Sequence, residues 1–550
     1  MKSGSALCLL LALAGQGAMA ARRGFIPVHR PSSVYDEGMA QTHGEVEESR
    51  LDRRAAKRTF KYDFFDQLLD HSNPSLGTFK QRYWYDTTHY NGPGSPVVVF
   101  NNGEAAGDGY EALLTNRTIP GMISQAVGGA NILLEHRYFG KSSHFDQLTV
   151  RNLQYLTLNN SIVDNTYFAR NVKLSFDPEG KSAPSKAPWV LSGASFGGTL
   201  AAYVERLYPG TFWAYYASSA PVETVADFWR YFGPIQEGMP RNCSVDVRRV
   251  IERVDNVLLT GSPQEKLALK TKFGFAALEH DADFGNALAS VIRWQSMYPS
   301  KGYSAFYEWC DYVENAIPSV FPNASKPTAE GVGLEKALEG YAKYTREIVA
   351  PGSCDAATYG NNSLACWNSF NATDVVYTNT SLRGPANRQW EWFLCNEPFK
   401  NWETGAPKDQ PTIVSRLMDV TYSQLLCNFT FPAEVVDGKT YTYGIAQGLD
   451  VDRVNSFAKG GWLYTNTTRL LQVFGEFDPW RELGVASVHR PGGELQSTDE
   501  HPILIMKGCI HTSDLYLDDA LVNEEVASAQ VKGVAIMKKW IEEFPGYKKA

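Results

Sequence analysis

The chain has 550 residues, 43% of them hydrophobic and 13% aromatic, enough for a large core built as two layers or two domains. Its formal net charge of −8 excludes nucleic acid as the main partner. No apolar run reaches the roughly 18 residues of a membrane span, and no cysteine group has zinc-ligand spacing, so no membrane span, metal or cofactor is expected.

The N-terminus reads as a signal peptide over residues 1–20. Lys2 is its positive region, residues 6–14 its apolar stretch and Ala18-Met19-Ala20 its cleavage site; a buried helix is the alternative. Residues 21–58 are polar and Arg-rich and end in Arg53-Arg54 and Lys57-Arg58, a pro-segment cut at a dibasic site or a disordered arm. Without residues 1–58 the chain loses 9 of 52 Lys/Arg and 6 of 60 Asp/Glu, leaving 43 against 54 and a net charge of −11. Such a leader implies secretion, with a vacuolar or lysosomal destination as the alternative.

Of eight cysteines, Cys8 leaves with the leader and seven remain, so an exported chain keeps one free thiol. Nine sequons, at Asn116, Asn159, Asn242, Asn323, Asn361, Asn371, Asn379, Asn428 and Asn466, point to glycosylation.

Globular patterning begins near Tyr62. Residues 78–85 read as an early strand, and 96–100 as a buried strand broken by Asn101-Asn102-Gly103-Glu104. Further strands are predicted at 131–135, 189–194 and 212–217, with a helix around 155–172. Continuous apolar runs separated by helical spans predict parallel strands in a doubly covered sheet. After about residue 225 strand-like runs thin out and helical periodicity appears at 247–295 and 333–349. Residues 226–435 therefore read as an inserted, mainly helical cap held by disulfides. Sheet texture returns at 469–475 and 502–506, and a helix at 523–542 closes the chain. The catalytic domain is thus expected from 59–225 and 436–550.

The chemistry centres on residues 189–199. An apolar run ends in Gly193-Ala194-Ser195-Phe196-Gly197, followed by a helix-compatible stretch. This is the pattern of a nucleophile elbow, with Ser195 at the tip of a strained strand-to-helix turn and small residues two before and two after it. In the α/β-hydrolase order the acid follows one late strand and the histidine the next. Asp478 follows 469–475 and His511 follows 502–506. Glu476 and Asp514 compete with Asp478. Asp478 is preferred because Pro479 sets the turn after it, and Asp514 reads better as a helix cap. His489 lies in a polar loop and His501 precedes its strand, which leaves His511. It would take the Ser195 proton and pass it to the leaving group, with Asp478 orienting the imidazole. One oxyanion donor would be the Phe196 N–H. The other would come from Asn102 or Gly103, unless that pair is an ordinary turn.

Several motifs together resemble the lysosomal Pro-X carboxypeptidase and dipeptidyl peptidase II family of serine peptidases, and within it the secreted fungal acid prolyl endopeptidases. They are Asp70-His71, Thr78-Phe79-Lys80-Gln81-Arg82-Tyr83-Trp84, Asn102-Gly103-Glu104, residues 135–142 beginning Glu135-His136-Arg137, the elbow, Arg388-Gln389-Trp390-Glu391-Trp392 with Cys395-Asn396-Glu397, and Asp478-Pro479-Trp480. The resemblance spans about residues 62–545. It implies an α/β-hydrolase core with a helical cap, the triad Ser195, Asp478 and His511, and cleavage after proline in acid. It also implies a Cys395–Cys427 bridge, leaving Cys509 as the best candidate for the free thiol. Two departures stand out. Relatives often have Cys after the histidine, where this chain has Thr512, and Tyr-Ser after the nucleophile, where it has Phe196-Gly197.

On this reading Trp480 offers an indole face to a proline ring, Phe399 is a second wall, and Glu104 binds a substrate terminus or holds its loop. Expected partners are proline-rich peptides or proteins, and the enzyme is a monomer or homodimer. The alternatives are a secreted esterase or lipase with the same residues, an exopeptidase of the same family, and a non-catalytic binding protein of this fold.

Overall fold

The computed structural model describes residues 60–547, apart from 293, 361, 363, 385, 386, 398, 400 and 401. The expected leader, the segment 21–58 and Asn361 lie outside the described residues.

Strands β1 (Lys61–Leu68) and β2 (Thr78–Asp86) form an antiparallel pair, followed by β3 (Val97–Asn101), β4 (Ala130–Leu134), β5 (Trp189–Ala194) and β6 (Ala214–Ser218). A hairpin of β7 (Glu434–Val436) and β8 (Lys439–Tyr441) stands apart, and β9 (Leu470–Gly475) and β10 (Ile503–Met506) return to the main sheet. The order in that sheet is β1-β2-β4-β3-β5-β6-β9-β10. From β4 to β10 all neighbours are parallel, with Val99 opposite both Ile132 and Leu191, and Ala217 opposite both Gly193 and Gln472. β1 was not anticipated, because most of its residues are exposed and it shows no apolar run.

The inner strands are buried on both faces, which is why they read as unbroken apolar runs. Successive side chains point to opposite sides. Val99, Ile132, Leu191 and Phe474 face one core, and Val98, Val190, Leu471 and Val473 face another. Helix α1 (Ile119–Val127) belongs to the second core; α2 (Leu158–Asn171) and α3 (Phe196–Leu207) belong to the first.

Between β6 and β9 the chain leaves the sheet. Helices α4 (Arg241–Thr260), α5 (Asp281–Ala289), α6 (Ala305–Val313) and α7 (Leu334–Tyr344) build a separate core around Ile251, Phe284, Trp309 and Tyr341. The bridges Cys243–Cys310 and Cys354–Cys366 lie in this part. Helices α8 (Arg388–Asn396) and α9 (Val420–Thr430) behave differently: Trp392, Phe393, Cys395 and Cys427 join the core of the sheet. The stretch read from sequence as one cap therefore divides its packing between two cores, because α8 carries a wide aromatic face that the sheet side buries. Cys395 and Cys427 are bonded, on the sheet side, and Cys509 is free and buried. Helix α10 (Glu524–Glu542) completes the second face of the sheet. Among the described residues, no helix is long and apolar enough to cross a membrane.

Candidate active site

The chain runs from β3 to β4 on one side and then to β5 on the other, so the strand order reverses between β3 and β5. Open α/β sheets bind ligands at the carboxyl ends of such a pair. Ser195 directly follows β5, and the loop beginning at Asn102 directly follows β3.

Ser195 has φ +53° and ψ −125°, a conformation that L residues adopt only when held there. The neighbouring glycines are a steric requirement. A Cβ on Gly193 would sit 2.2 Å from the Gly197 carbonyl, and one on Gly197 would sit 2.5 Å from the Asn101 oxygen. The Ser195 N–H donates to the Ser218 carbonyl at 2.9 Å, tying the turn to β6. Phe196 opens α3, so its N–H is among the amides that the helix itself leaves unused.

The two amides expected to supply the second oxyanion donor both make hydrogen bonds within the protein. The Asn102 N–H donates to the Leu134 carbonyl at 3.1 Å, and the Gly103 N–H to Asn101 Oδ1 at 2.9 Å. The first bond continues the pairing of β3 with β4 for one residue past the strand, and the second is a local turn closed by the Asn101 side chain. The loop still lies against α3: a Cβ on Gly103 would be 3.1 Å from the Gly197 nitrogen. Glu104 comes next and is buried, which pushes its carboxyl up to about 7.

Residues that hold this loop were quoted in the sequence motifs without a role. The buried Glu135 carboxylate accepts from the Gly107 N–H at 2.8 Å, the Lys141 N–H at 3.0 Å, the Ser142 hydroxyl at 2.6 Å and Arg82 Nη2 at 2.6 Å. Arg82 also reaches Asp108 at 2.7 Å. On the next two residues, Arg137 pairs with buried Asp164, while burial lowers His136 to about 4. A cluster of charged types in one short motif was the available signal.

Asp478 Oδ1 lies 2.8 Å from His511 Nδ1, with the two residues 0% and 2% exposed. The same oxygen accepts the Trp480 N–H at 2.9 Å, which fixes the carboxylate. The competing groups go elsewhere. Glu476 accepts the Gly508 N–H at 2.8 Å, and His489 lies 3.5 Å from Glu482. His501 is buried and lowered to about 4. Asp514 is not a helix cap: in the helix that follows it, Leu517–Ala520, the N-cap position is held by Tyr516.

The inserted segment covers the histidine. Trp294 stands edge-on to His511 with ring centroids 5.8 Å apart, and the Tyr298 hydroxyl is hydrogen-bonded to Thr512 Oγ1 at 3.2 Å. Trp294 Nε1 donates to the Tyr231 hydroxyl at 2.7 Å, and Tyr231 packs edge-on against Trp480 at 5.3 Å. A run of rings, Trp480, Tyr231 and Trp294, thus extends from the acid's turn to the face of the histidine. Phe399 packs on Phe196, together with Trp390 and Phe393. Glu403, buried near Tyr231, is pushed up to about 8 by desolvation, an effect its hydrogen bond to Tyr231 only partly offsets.

A doubly covered, mostly parallel sheet with a serine on a strained strand–helix turn and a carboxylate-bound histidine after its last strand defines an α/β hydrolase of the serine type. The serine carboxypeptidase S28 family model matches residues 67–530, and the chain belongs to that family. It is a serine-type peptidase. It is 40% identical over 485 residues to the serine protease vicPb of Bipolaris victoriae, covering 87% of this chain and 89% of the relative. A probable extracellular serine carboxypeptidase of Arthroderma benhamiae is 28% identical over 504 residues, covering 87% and 67%. Among solved structures, an esterase from Pyrobaculum calidifontis aligns over 94% of this chain and 98% of its own at 10% identity, with a TM-score of 0.34.

Proposed function

We propose that this protein is a secreted peptidase that cleaves on the carboxyl side of proline, in acid, through Ser195, His511 and Asp478. The observation that carries the reading is the 2.8 Å Asp478–His511 bond, made on loops that follow β9 and β10 of the sheet whose β5 ends in Ser195. With Nδ1 committed to Asp478, Nε2 is the nitrogen left for proton transfer. It removes the Ser195 proton as Oγ attacks the carbonyl carbon. The tetrahedral oxyanion is met by the Phe196 N–H and the positive end of α3. The imidazolium then protonates the leaving amine, and water repeats the cycle on the acyl-enzyme.

Aromatic rings around the nucleophile support a flat apolar residue before the scissile bond. Glu104 and Glu403, at about 7 and about 8, support work in acid, where both stay neutral and the site carries less negative charge. Three disulfides and the extracellular relative support secretion. The same relative's name favours a second reading, a carboxypeptidase.

Ser195→Ala tests the assignment. The purified variant should fold normally and lose kcat by about 10⁴-fold or more. Substantial activity in that variant ends the assignment. Digestion of a proline peptide blocked at both ends separates the two readings, since only an endopeptidase cuts it.

A further inference from the structure

We infer that Asp514 is a positioning residue whose buried carboxylate holds the nucleophile turn in register with the histidine loop. This rests on the roles of Ser195 and His511 proposed above. Asp514 lies three residues after His511 and is 0% exposed. A carboxylate so buried is costly unless its oxygens are hydrogen-bonded. Both are: the Tyr216 hydroxyl donates to Oδ2 at 2.7 Å and the Ser218 hydroxyl donates to Oδ1 at 2.5 Å.

Both donors belong to β6, and Ser218 has a second task. Its carbonyl accepts the Ser195 N–H at 2.9 Å. One residue therefore links the carboxylate on the histidine loop to the backbone of the nucleophile. A parallel link runs beside it, where the Thr512 N–H donates to Ser219 Oγ at 2.8 Å. From the other side, Gln530 Nε2 on α10 donates to the Asp514 and Tyr516 carbonyls at 2.8 and 2.9 Å.

The junction is also where strained backbone collects. Ser195, Ser219 and Thr512 have φ of +53°, +49° and +54°. Such conformations persist only where the surroundings over-determine them. Three of them at one junction need a rigid anchor, and Asp514 is the side chain that bonds β6 there from the histidine loop. It touches neither substrate nor reacting atoms and acts through Ser218 on Ser195.

The test uses the full-length enzyme with Asp514→Ala, Asp514→Asn, Ser218→Ala and the Asp514→Ala/Ser218→Ala double variant. Active sites are titrated with a fluorophosphonate, and kcat and KM on a proline peptide are expressed per titrated site. Asp514→Ala should lose about 100-fold in kcat with KM within about threefold, the signature of misplaced reacting groups. Asp514→Asn should recover at least about tenfold of this, since an amide accepts from one hydroxyl and donates to the other. The double variant should be no worse than Asp514→Ala, because both changes remove one link. Additive losses would overturn the Ser218 link. Variants with fewer titratable sites or a lower Tm but wild-type kcat per site would show a scaffold role alone. If Asp514→Ala does not fold, Asp514→Asn and Ser218→Ala carry the same comparison. Labelling of Ser195→Ala by the phosphonate would refute the nucleophile assignment and not the clamp.

Discussion

The ring of Phe399 stands edge-on to that of Phe196, with centroids 5.7 Å apart and planes at 88°. An aromatic wall thus lies beside the residue that follows Ser195, whereas Trp480 is held between Phe228 and Tyr231 of the inserted segment. Phe399→Ala should lower kcat/KM on a proline substrate more than on its alanine counterpart, by about 1–3 kcal/mol. Trp480→Ala should show a smaller selective loss. Equal losses on both substrates for both variants would remove these rings from the specificity pocket.

Glu104 ionises through about pH 7 in the loop that lies on the first turn of α3. A carboxylate there opposes the negative charge that develops on the substrate oxygen. Wild-type kcat/KM should therefore fall as pH rises past 7, and Glu104→Gln, which cannot ionise, should move that limb up by at least about one pH unit. An unmoved limb in Glu104→Gln assigns the fall to another group.

Stability should also favour acid. Burial raises Glu104 and Glu397 to about 7 and Glu403 to about 8, from 4.5. Asp255, Asp283, Asp514 and Asp519 are raised as well, again by desolvation. Raised groups give their full contribution below the unfolded value and lose it as pH rises through the folded one. His136 and His501, lowered from 6.5 to about 4, act the other way and lose theirs as pH falls from 6.5 to 4. The raised carboxyls outnumber these histidines, so Tm should peak near pH 4–5 and be at least about 5 °C lower at pH 8.5. A Tm that rises from pH 5 to pH 8.5 would contradict this balance.

The sequons should differ in occupancy. Asn116, Asn323, Asn371 and Asn466 are exposed. Asn159 is half-buried on α2 and accepts from the Tyr208 hydroxyl at 2.8 Å, and Asn242 lies in the first turn of α4, bonded to buried Glu314. Asn379 accepts the Ser381 N–H at 2.9 Å, and Asn428, also exposed, accepts from the Tyr443 hydroxyl. Glycopeptide mapping should find sugar on the first four and none on Asn159 or Asn242. Full occupancy at Asn159 would show that its half-buried place on α2 does not keep sugar off it.

What the sequence alone determined was whatever a short stretch encodes. Buried strands appear as apolar runs, so β3 to β6 and β9 were found within a residue or two, as was the half-buried apolar run of β10. The elbow is partly set by sterics among neighbours, since a Cβ on Gly193 would clash with Gly197, whereas the need for Gly197 itself comes from Asn101 on the adjacent strand. That Asp478 and His511 lie directly after strands was legible for the same reason, and the structure brings the two within a hydrogen bond.

The tertiary structure alone decided the partners that meet from distant parts of the chain. The Asn102 amide is consumed by Leu134, Asp514 is bonded by residues 296 and 298 positions away, and α8 packs on the sheet rather than with α4 to α7. A hydrogen bond between remote segments leaves no periodicity and no spacing in either one. The engagement of the Asn102 amide and the hydrogen bonds of Asp514 depend on such contacts, so they emerge only when the sheet brings β3 beside β4 and the loop after β10 against β6.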